Sequence, residues 1–505
     1  MLAWEGMSMG RKMPIFYNAL MLTGVNLLLR FVSTSFQVFV SARIGAAGVG
    51  LLQLVLSVGG MTMTAGMAGV RTACMYLSAE ELGKKRPQNV TWVLSGCILY
   101  SVICSGIVAG VVYGFAPWIA RNWIGDARTV EAVRLFAAFV PVNCMTGVMV
   151  GYFTAAGRIG QLAVVEIAEQ ICSMAVSGCA LVCWAGDDPG RACQAVILGG
   201  CFGGVLTLSC LAILRIRQRA QTGPRIPVAR RLTGIALPLA VADDLKVGIN
   251  TVENLMVPKR LRLYTSDGLA QFGMVSGMVF PIIMFPAAIL YALADLLIPE
   301  MARCSAAGSS ARIRYLARRS LRIAMVYGMV CGGALFLLSE SLCLRLYQNE
   351  SAGTLMGPYA LLVPMLYCDA IVDAMNKGLG LQKICMQFNI LTALMDVAGL
   401  YVLLPMFGMW GYFVSFFLSH AVNALLSFGL LLKTAGIRVR PQVILLTALV
   451  MIGALTVAKW LPWEGLQVGG FILLAMIGLL ALEVVRKEDG IWLVGLIKTK
   501  KTQKK

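Results

Sequence analysis

The sequence predicts an all-α, polytopic membrane protein with about fourteen transmembrane helices. Hydrophobic residues make up 59% of the 505-residue chain and charged residues only 13%, which is too apolar for a soluble protein of this length. A bilayer core about 30 Å thick requires roughly 20 apolar residues per helix, and fourteen stretches of that kind follow one another along the chain. The alternation of roughly ten residues that is typical of a membrane β-barrel strand is absent from the sequence.

The fourteen spans divide into two sets of six and a final pair. The widest polar segment between spans, 215–232, contains two prolines and separates the sixth span from the seventh. An LTG motif (22–24) opens the first span and a second LTG motif (232–234) opens the seventh, and internal repeats of this kind place a substrate site near the membrane midplane, between two lobes. We therefore predict a cytosolic leader (1–13), an N-terminal lobe (14–220), a C-terminal lobe (221–435), a helix pair (436–490) and a basic cytosolic tail (491–505). The predicted spans are 14–40, 47–77, 89–116, 129–154, 161–184, 192–214, 233–256, 267–298, 319–340, 354–378, 384–405, 409–432, 442–460 and 466–485.

Lysine and arginine residues gather in every second gap, and this bias sets the predicted orientation. By the positive-inside rule the basic gaps are cytoplasmic, so both termini lie inside and the number of spans is even. Lys259, Arg260 and Arg262 break the pattern, because they follow the seventh span on the predicted outer side. The basic gaps hold Arg11 and Lys12; Lys84, Lys85 and Arg86; Arg215, Arg217, Arg219, Arg225, Arg230 and Arg231; Arg303, Arg312, Arg314, Arg318 and Arg319; and Lys433, Arg438 and Arg440.

Charge and motif content exclude several classes of function. The net charge of +19 is spread along one membrane face, so we expect no nucleic-acid partner and only contact of the basic tail with anionic membrane lipids. The sequence contains no G-x4-GK[ST] phosphate loop, no HExxH motif and no Cys/His metal spacing, and most of its fifteen cysteines lie inside apolar spans without a CxxC pair. We therefore predict a transporter rather than an enzyme, with no cofactor or metal, driven by an ion gradient, the membrane potential or a substrate gradient.

Polar residues recur at helical spacing inside five spans, where they are costly and usually face a bundle interior or a wet cavity. Each stripe either joins helices together or lines a shared hydrated cavity, and five stripes from both halves favour the cavity. Asp243–Lys246 and Asp373–Lys377 are expected as internal ion pairs under the first interpretation. The stripes are Asn26, Arg30, Ser33, Thr34, Gln37 and Ser41 in helix one; Gln53, Ser57, Gly60, Thr64 and Arg71 in helix two; Glu166, Glu169, Gln170, Ser173 and Ser177 in helix five; Asp243, Lys246, Asn250 and Glu253 in helix seven; and Asp369, Asp373 and Lys377 in helix ten.

Arg30 is the only charged residue in the first span. Its guanidinium either reaches an interface or an acid on another helix, or is held for an anionic substrate such as a phosphate. The only histidine, His420, and Asp396 are similarly open between a proton carrier and a helix contact. Two glycine patterns, Gly106-x3-Gly110-x3-Gly114 and Gly199-x3-Gly203, predict close helix packing.

Six segments of the chain carry a resemblance to a known family. They are RFVSTSFQVFVSARIGAAGVGLLQL (30–54), YLSAEELGKKRPQN (76–89), GYFTAAGRIGQLAVVEIAEQ (151–170), RLTGIALPLAVADDL (231–245), TVENLMVPKRL (251–261) and PIIMFPAAILYALADLLIPEMA (281–302). These segments resemble the stage V sporulation protein B family, within the multidrug/oligosaccharidyl-lipid/polysaccharide flippase superfamily. The similarity runs in order across about 420 residues of the chain. It departs from the family pattern at GVRTACMY (69–76), which places Arg71 at the end of helix two.

The resemblance implies a V-shaped bundle of two six-helix lobes with alternating access to a central cationic cavity, and a lipid-tail groove at helices thirteen and fourteen. It implies that Arg30 contacts the pyrophosphate of an undecaprenyl-linked saccharide, while Arg43 lies at an outer gate or stabilises the turn after helix one. We expect substrate contacts from Arg30, Arg71, Lys246, Asn26, Gln37, Gln53, Asn250 and Glu253, and gating or coupling to a proton or sodium ion from Arg43, Glu166, Glu169, Asp243, Asp369, Asp373 and Lys377.

The function that the resemblance implies is a flippase for a lipid II-like or polysaccharide precursor in the bacterial cytoplasmic membrane. Two alternatives stay open. A multidrug and toxin extrusion antiporter of the same superfamily would require an acidic residue in its first lobe, whereas helix one has none and fourteen spans exceed the expected twelve. A non-transporting scaffold of an envelope assembly complex would not need charged residues in a cavity.

Overall fold

The computed structural model describes an all-helical chain. No β-strand occurs among the described residues, which confirms the predicted fold class. The predicted leader and tail lie outside the described residues, as do Lys85, Arg219, Arg225, Arg438, Arg440 and the side chain of Asn26. The structure describes residues 15–84, 86–186, 188–218, 227–437 and 441–481, with side chains from residue 28 onward except 242 and 441–445.

The first two predicted spans form one helical run, α1 (Ile15–Met67), continued by α2 (Val70–Gly83). At about 1.5 Å per residue, the 53 residues of α1 are far too long for a single crossing of the bilayer. Gly45 interrupts the helix with φ 70° and ψ 173°, a conformation that only glycine adopts readily. The interruption falls in the predicted gap between the two spans.

Four further helices lead to the long polar helix α7, and their packing follows from apolar faces that meet in one core. Val70 and Leu77 of α2 pack there with Phe153, Leu211 and other buried side chains. A π-helical turn at Ile119–Ile124 ends the third helix. The helices are α3 (Pro87–Trp118), α4 (Val130–Ala155), α5 (Ile159–Ala180), α6 (Pro189–Ile216), α7 (Ala229–Leu261) and α8 (Gly268–Met274).

The described residues from Phe280 onward form ten helices, and some predicted spans are divided between two of them. The tenth predicted span is formed by two helices that meet at a bend of 55°, where Pro364 lies in the first turn of the second helix. The helices are α9 (Phe280–Met284), α10 (Ala287–Ala306), α11 (Ser310–Leu337), α12 (Ser339–Tyr347), α13 (Glu350–Ala360), α14 (Val363–Gly378), α15 (Gln382–Phe407), α16 (Met409–Ala435), α17 (Pro441–Lys459) and α18 (Glu464–Ala481).

The chain divides into two compact units. Unit 1 comprises Met1–Met278 and Ala393–Ser415, and unit 2 comprises Val279–Thr392 and Phe416–Lys505. This grouping places α7 in unit 1, whereas the sequence places it in the C-terminal lobe. The units reflect local packing and do not test the lobes, so the domain boundaries stay a prediction.

Nine helices in the described part of the chain are long and apolar enough to cross a membrane, or eleven if each bent pair is one span. Each of the fourteen predicted spans nevertheless coincides with a helix or a helix pair. Three predicted spans are missing from the count of eleven. The first two spans count as one run of α1 and α2, α7 is too polar, and α17 is described in full only from Leu446. The exact number of fourteen stays a prediction.

The predicted close helix packing is found at one of the two glycine patterns and not at the other. A side chain at Gly203 would lie 3.1 Å from the Glu169 Cγ atom and 3.2 Å from the Ser173 Cβ atom, so α5 and α6 do pack closely there. The prediction for Gly106, Gly110 and Gly114 is wrong, because a Cβ atom at any of them would meet no other described atom within 4 Å. These three glycines therefore allow no close helix contact within the described chain.

The last two helices pack against α11 within unit 2. Phe471 of α18 is fully buried, and its ring occupies the space beside Gly333 of α11 where a side chain would otherwise lie. Met451 and Ala454 of α17 join the same apolar cluster. The final pair is thus held by a specific packing contact.

Candidate functional site

Two arginines predicted to bind substrate are exposed on successive helices of unit 1. Arg30 lies on α1, and Arg71 lies on α2 just after Gly69, whose φ of 71° starts the new helix. Arg71 forms no ion pair with any described residue, whereas Arg30 has contacts of its own. An exposed guanidinium within a membrane helix faces either lipid or water, and contact with lipid is costly. Both positions therefore favour a hydrated surface.

Arg43 lies two residues before the Gly45 break and is also exposed. This position agrees with either of its expected roles, a gate or a stabiliser of the turn. Its role stays a prediction.

The polar stripe of α5 forms hydrogen bonds to α6, and it also carries a carboxylate that interacts with Arg71. Glu169 accepts a hydrogen bond from the Thr207 hydroxyl of α6 at 2.9 Å, and Ser177 donates to the Val196 carbonyl at 3.2 Å. This part of the stripe joins two helices. Glu166 is only partly buried and interacts electrostatically with both Glu169 and Arg71. The structure thus brings Arg71 near a carboxylate on another helix, which the sequence alone did not indicate.

Part of the stripe on helix two contacts α7. Ser57 accepts a hydrogen bond from Asn254 Nδ2 at 3.0 Å, and its backbone carbonyl lies 3.2 Å from the Thr251 hydroxyl. Gln37 Nε2 is 3.4 Å from the Gly277 carbonyl, and the Gln53 carbonyl accepts from Ser57 at 2.8 Å. Ser57 is therefore a helix contact. The sequence analysis missed Asn254 and Thr251, because they lie beside the predicted stripe of α7.

The predicted stripe of α7 does not form the expected internal ion pair. Within the described chain Asp243 and Lys246 have no salt bridge to each other or to another residue, so that interpretation is wrong for this pair. Asp243, Lys246 and Asn250 are all exposed along one side of the helix. Their roles stay predictions.

Unit 1 contains two acidic side chains whose charges interact. Glu253 of α7 interacts electrostatically with Asp396 of α15, whose side chain is buried. The Ser415 hydroxyl of α16 donates to Asp396 Oδ1 at 2.6 Å, and the charges of both carboxylates reach the buried Tyr412 ring. A proton or a bound cation would relieve the repulsion between these two carboxylates. The sequence left Asp396 open and gave no signal for Tyr412 or Ser415.

The acidic residues of α14 are engaged within unit 2. Asp369 Oδ2 accepts a hydrogen bond from Asn423 Nδ2 of α16 at 3.0 Å, and the Lys377 ammonium lies 2.6 Å from Asp373 Oδ2. The predicted internal pair Asp373–Lys377 is therefore confirmed. His420 stacks on Phe416 of its own helix with ring centroids 4.0 Å apart.

The basic residues on the predicted outer side, Lys259, Arg260 and Arg262, interact with other residues of the protein. Arg260 donates to the Tyr401 carbonyl at 2.7 and 3.1 Å and covers the Tyr401 ring at 3.7 Å, while the Lys259 ammonium donates to the Asn122 carbonyl. Arg128 bonds to the carboxylate of Asp126 and lowers its pKa, and Arg262 lowers this pKa further through its charge. These contacts explain why basic residues occur on the predicted outer side.

Comparisons with known proteins agree with the fold. Residues 22–177 match the family model described as MatE. Stage V sporulation protein B of Bacillus subtilis (strain 168) is 20% identical over 416 residues, covering 79% of this chain and 80% of that protein. A lipid II flippase MurJ in an inward closed conformation has a TM-score of 0.67 at 11% identity, covering 95% of this chain and 100% of that chain. An inward-facing multidrug resistance MATE family transporter of the MOP superfamily also has a TM-score of 0.67. It is 12% identical, and the match covers 82% of this chain and 98% of that chain.

These similarities confirm the resemblance inferred from the sequence, and the chain has the fold of MOP superfamily transporters. The two structural neighbours are a transporter and a flippase. This fold and the apolar helices indicate a multi-pass membrane protein. The central cavity and the individual site residues stay predictions.

Proposed function

We propose that this protein is a flippase that moves an undecaprenyl-pyrophosphate-linked saccharide across the bacterial cytoplasmic membrane. Its substrate would be a lipid II-like or polysaccharide precursor used for cell-wall, spore-cortex or polysaccharide synthesis. Both termini would lie in the cytoplasm. The headgroup would cross in a water-filled cleft that opens to one side and then to the other, while the polyprenyl tail remains in lipid.

The observation that carries this proposal is the pair of exposed arginines, Arg30 and Arg71, on successive membrane helices of one unit. A pyrophosphate is costly to bring into the membrane, and a guanidinium offsets that cost with bidentate, charge-assisted hydrogen bonds. Lys246 and Asn250 are exposed on α7 of the same unit and add a further cation and a polar group.

The extent of the similarities also supports a flippase. The match to the lipid II flippase extends over 95% of the chain, whereas the match to the MATE transporter covers 82%. The sporulation relative matches over four fifths of its own length. The two structures have equal TM-scores, but the flippase matches nearly the whole chain. We therefore take the flippase as the better guide to the class of substrate.

Coupling to an ion would use the carboxylates of the half-buried Glu253 and the buried Asp396. A proton or sodium ion bound between them would relieve their repulsion, and its release on the other side would restore it. Asp369, which shares a hydrogen bond with Asn423, is the corresponding acidic position in unit 2.

A MATE-type antiporter is the second candidate. Such a transporter needs an acidic site in its first lobe for a proton or sodium ion and for a cationic drug, and Glu166 and Glu169 of α5 lie in the predicted N-terminal lobe. The match of residues 22–177 to the MatE model also supports it. The exposed arginines distinguish the two candidates, since they repel a cationic cargo and attract an anionic one.

Measurement of lipid II transfer to the outer surface, in cells depleted of their own lipid II flippase, tests the proposal. The native chain should restore lipid II at the outer surface, and Arg30→Ala or Arg71→Ala should reduce flipping about 10- to 100-fold through loss of a charge-assisted bond. Arg121→Ala is the matched control, because Arg121 is an exposed arginine in the π-helical turn after α3 and should have no effect.

Membrane amounts of all variants must be equal for the comparison to count. If the native chain does not restore flipping, the cargo is a different polyprenyl-linked glycan or a cationic drug, and efflux of a cationic dye under an imposed proton or sodium gradient separates these two. Full rescue by Arg30→Ala and Arg71→Ala would contradict the assigned role of the arginines, and a scaffold would be unaffected by either change.

A further inference from the structure

Arg215, in the last turn of α6, is held in position by neutral side chains of neighbouring helices. Its NH2 group donates to the Thr91 hydroxyl of α3 at 3.1 Å, and its guanidinium lies over the Tyr152 ring of α4 at 4.8 Å. It is half-buried and forms no ion pair with any residue that the structure describes. Within that part of the chain, its charge is therefore fixed in place but not neutralised.

Gln218 joins the same cluster and adds a further donor. The Tyr152 hydroxyl donates to Gln218 Oε1 at 2.8 Å, and Arg215 NH1 approaches the same oxygen at 3.5 Å. The Nε2 atom of Gln218 is buried and has no hydrogen-bond partner among the described residues, although buried polar atoms usually have one. The guanidinium also carries more N–H groups than these contacts use. Donors therefore outnumber acceptors in the cluster, a composition that suits an anionic ligand.

The cluster lies at the ends of three predicted spans. Thr91 is near the start of the third span, Tyr152 is near the end of the fourth, and Arg215 directly follows the sixth. All three span ends border gaps that the basic residues place in the cytoplasm. The predicted depth of the cluster is thus that of the lipid headgroups in the cytoplasmic leaflet.

An exposed apolar surface runs from the cluster toward the membrane centre. Leu99 and Val102 lie eight and eleven residues after Thr91, a spacing that puts all three on one face of α3. Their exposed fractions are 63% and 41%. A fixed cation beside such a surface suits a ligand that has both an anionic headgroup and acyl chains, whereas a soluble anion gains nothing from the apolar part.

We propose that Arg215, Thr91, Tyr152 and Gln218 form a binding site, the Arg215 site, for the phosphate of an anionic phospholipid in the cytoplasmic leaflet. The guanidinium donates charge-assisted hydrogen bonds to the phosphate, and the acyl chains lie along the exposed face of α3. Basic pockets between membrane helices on the cytoplasmic side are suited to such lipids. The inference goes beyond the proposed function, because this lipid is a bound partner of unit 1 and not the transported molecule.

Titration of the full-length protein in detergent with dihexanoyl phosphatidylglycerol tests the proposal without a transport assay. The Kd follows from the rise in melting temperature with lipid concentration. Arg215→Ala should weaken binding about tenfold or more, because a charge-assisted hydrogen bond is lost. Arg215→Lys keeps the charge without the planar fork and should give an intermediate Kd. Arg217→Ala is the matched control, because Arg217 is exposed, forms no ion pair with a described residue and carries the same charge.

The comparison between the two arginines decides whether a specific site exists. Equal weakening by Arg217→Ala and Arg215→Ala would indicate a diffuse positive surface, and the proposal would be wrong. It would also be wrong if Arg215→Ala lowered the melting temperature without lipid but left the Kd unchanged. Arg215 would then act only on the structure, as a cation at the negative end of the α6 dipole.

Two further ligands test the chemistry of the site. Zwitterionic dihexanoyl phosphatidylcholine should bind more weakly than phosphatidylglycerol, and equal affinity would contradict recognition of an anionic lipid. Inorganic phosphate should also bind more weakly, because it has no acyl chains. An Arg215-dependent Kd for phosphate as low as that for the lipid would mean that the ligand is a soluble anion. A lack of lipid II flipping would leave all of these measurements unaffected.

Discussion

Single glycines determine how closely the helices of unit 1 approach one another. A Cβ atom at Gly273 of α8 would lie 2.6 Å from the Gly50 backbone nitrogen and against the Ala46 carbonyl of α1. A backbone atom cannot move aside as a side chain can, so the two helices would have to separate. Gly60, on the same helix α1, has no atom within 4 Å of the corresponding position.

We expect Gly273→Ala to destabilise the protein by about 1–3 kcal/mol, the usual cost of overpacking. Gly60→Ala should instead be neutral or stabilise it by up to about 1 kcal/mol, because alanine favours the helix. The melting temperatures of the two variants in the same detergent provide the comparison. Equal melting temperatures would show that the contact between α1 and α8 is looser than the structure indicates.

Residue type and spacing predicted which side chains are polar within the membrane, but not which neighbour each one meets. Asp373 and Lys377 pair as expected because both partners lie one turn apart on one helix. Glu166 and Arg71 lie on different helices, so their proximity depends on tertiary packing that spacing cannot reveal. The carboxylate pair in unit 1 was missed for the same reason.

Helix positions follow from apolar runs, whereas breaks within the runs follow from local backbone chemistry. The break at Gly45 falls in a predicted gap, but the interruption before α10 at Pro286 lies inside the eighth predicted span. Proline removes a backbone donor, so the helix restarts there although hydropathy continues. The sequence therefore predicted the positions of the helical segments better than their continuity.

Docking of α18 depends on one aromatic side chain. Phe471→Ala should leave a cavity beside Gly333 and cost about 3–5 kcal/mol of local packing. The expected result is faster hydrogen exchange throughout α18. Leu473→Ala is the control, because 63% of this side chain is exposed and its removal leaves no cavity. Unchanged exchange in the Phe471 variant would mean that the rest of the apolar cluster suffices.

At the scale of the whole molecule, the tryptophans gather on one side of the predicted topology. Six of the seven in the described part of the chain lie at ends of helices that border the predicted outer gaps. Tryptophan prefers the membrane–water interface, while lysine and arginine accumulate on the cytoplasmic side. The basic gaps and the tryptophan-bearing gaps therefore alternate along the chain. The six are Trp118, Trp123, Trp184, Trp410, Trp460 and Trp463.

The topology can be tested by asking whether the number of spans is even or odd. Fourteen spans place both termini on one side, whereas nine or eleven place them on opposite sides. We expect a fluorescent protein that folds only in the cytoplasm to fluoresce at either terminus, and also after Gly308, an exposed turn between α10 and α11. Alkaline phosphatase, which is active only outside, should be active after Gly186, an exposed turn after α5. Termini on opposite sides would rule out fourteen spans, and with them the even number that the basic gaps predict.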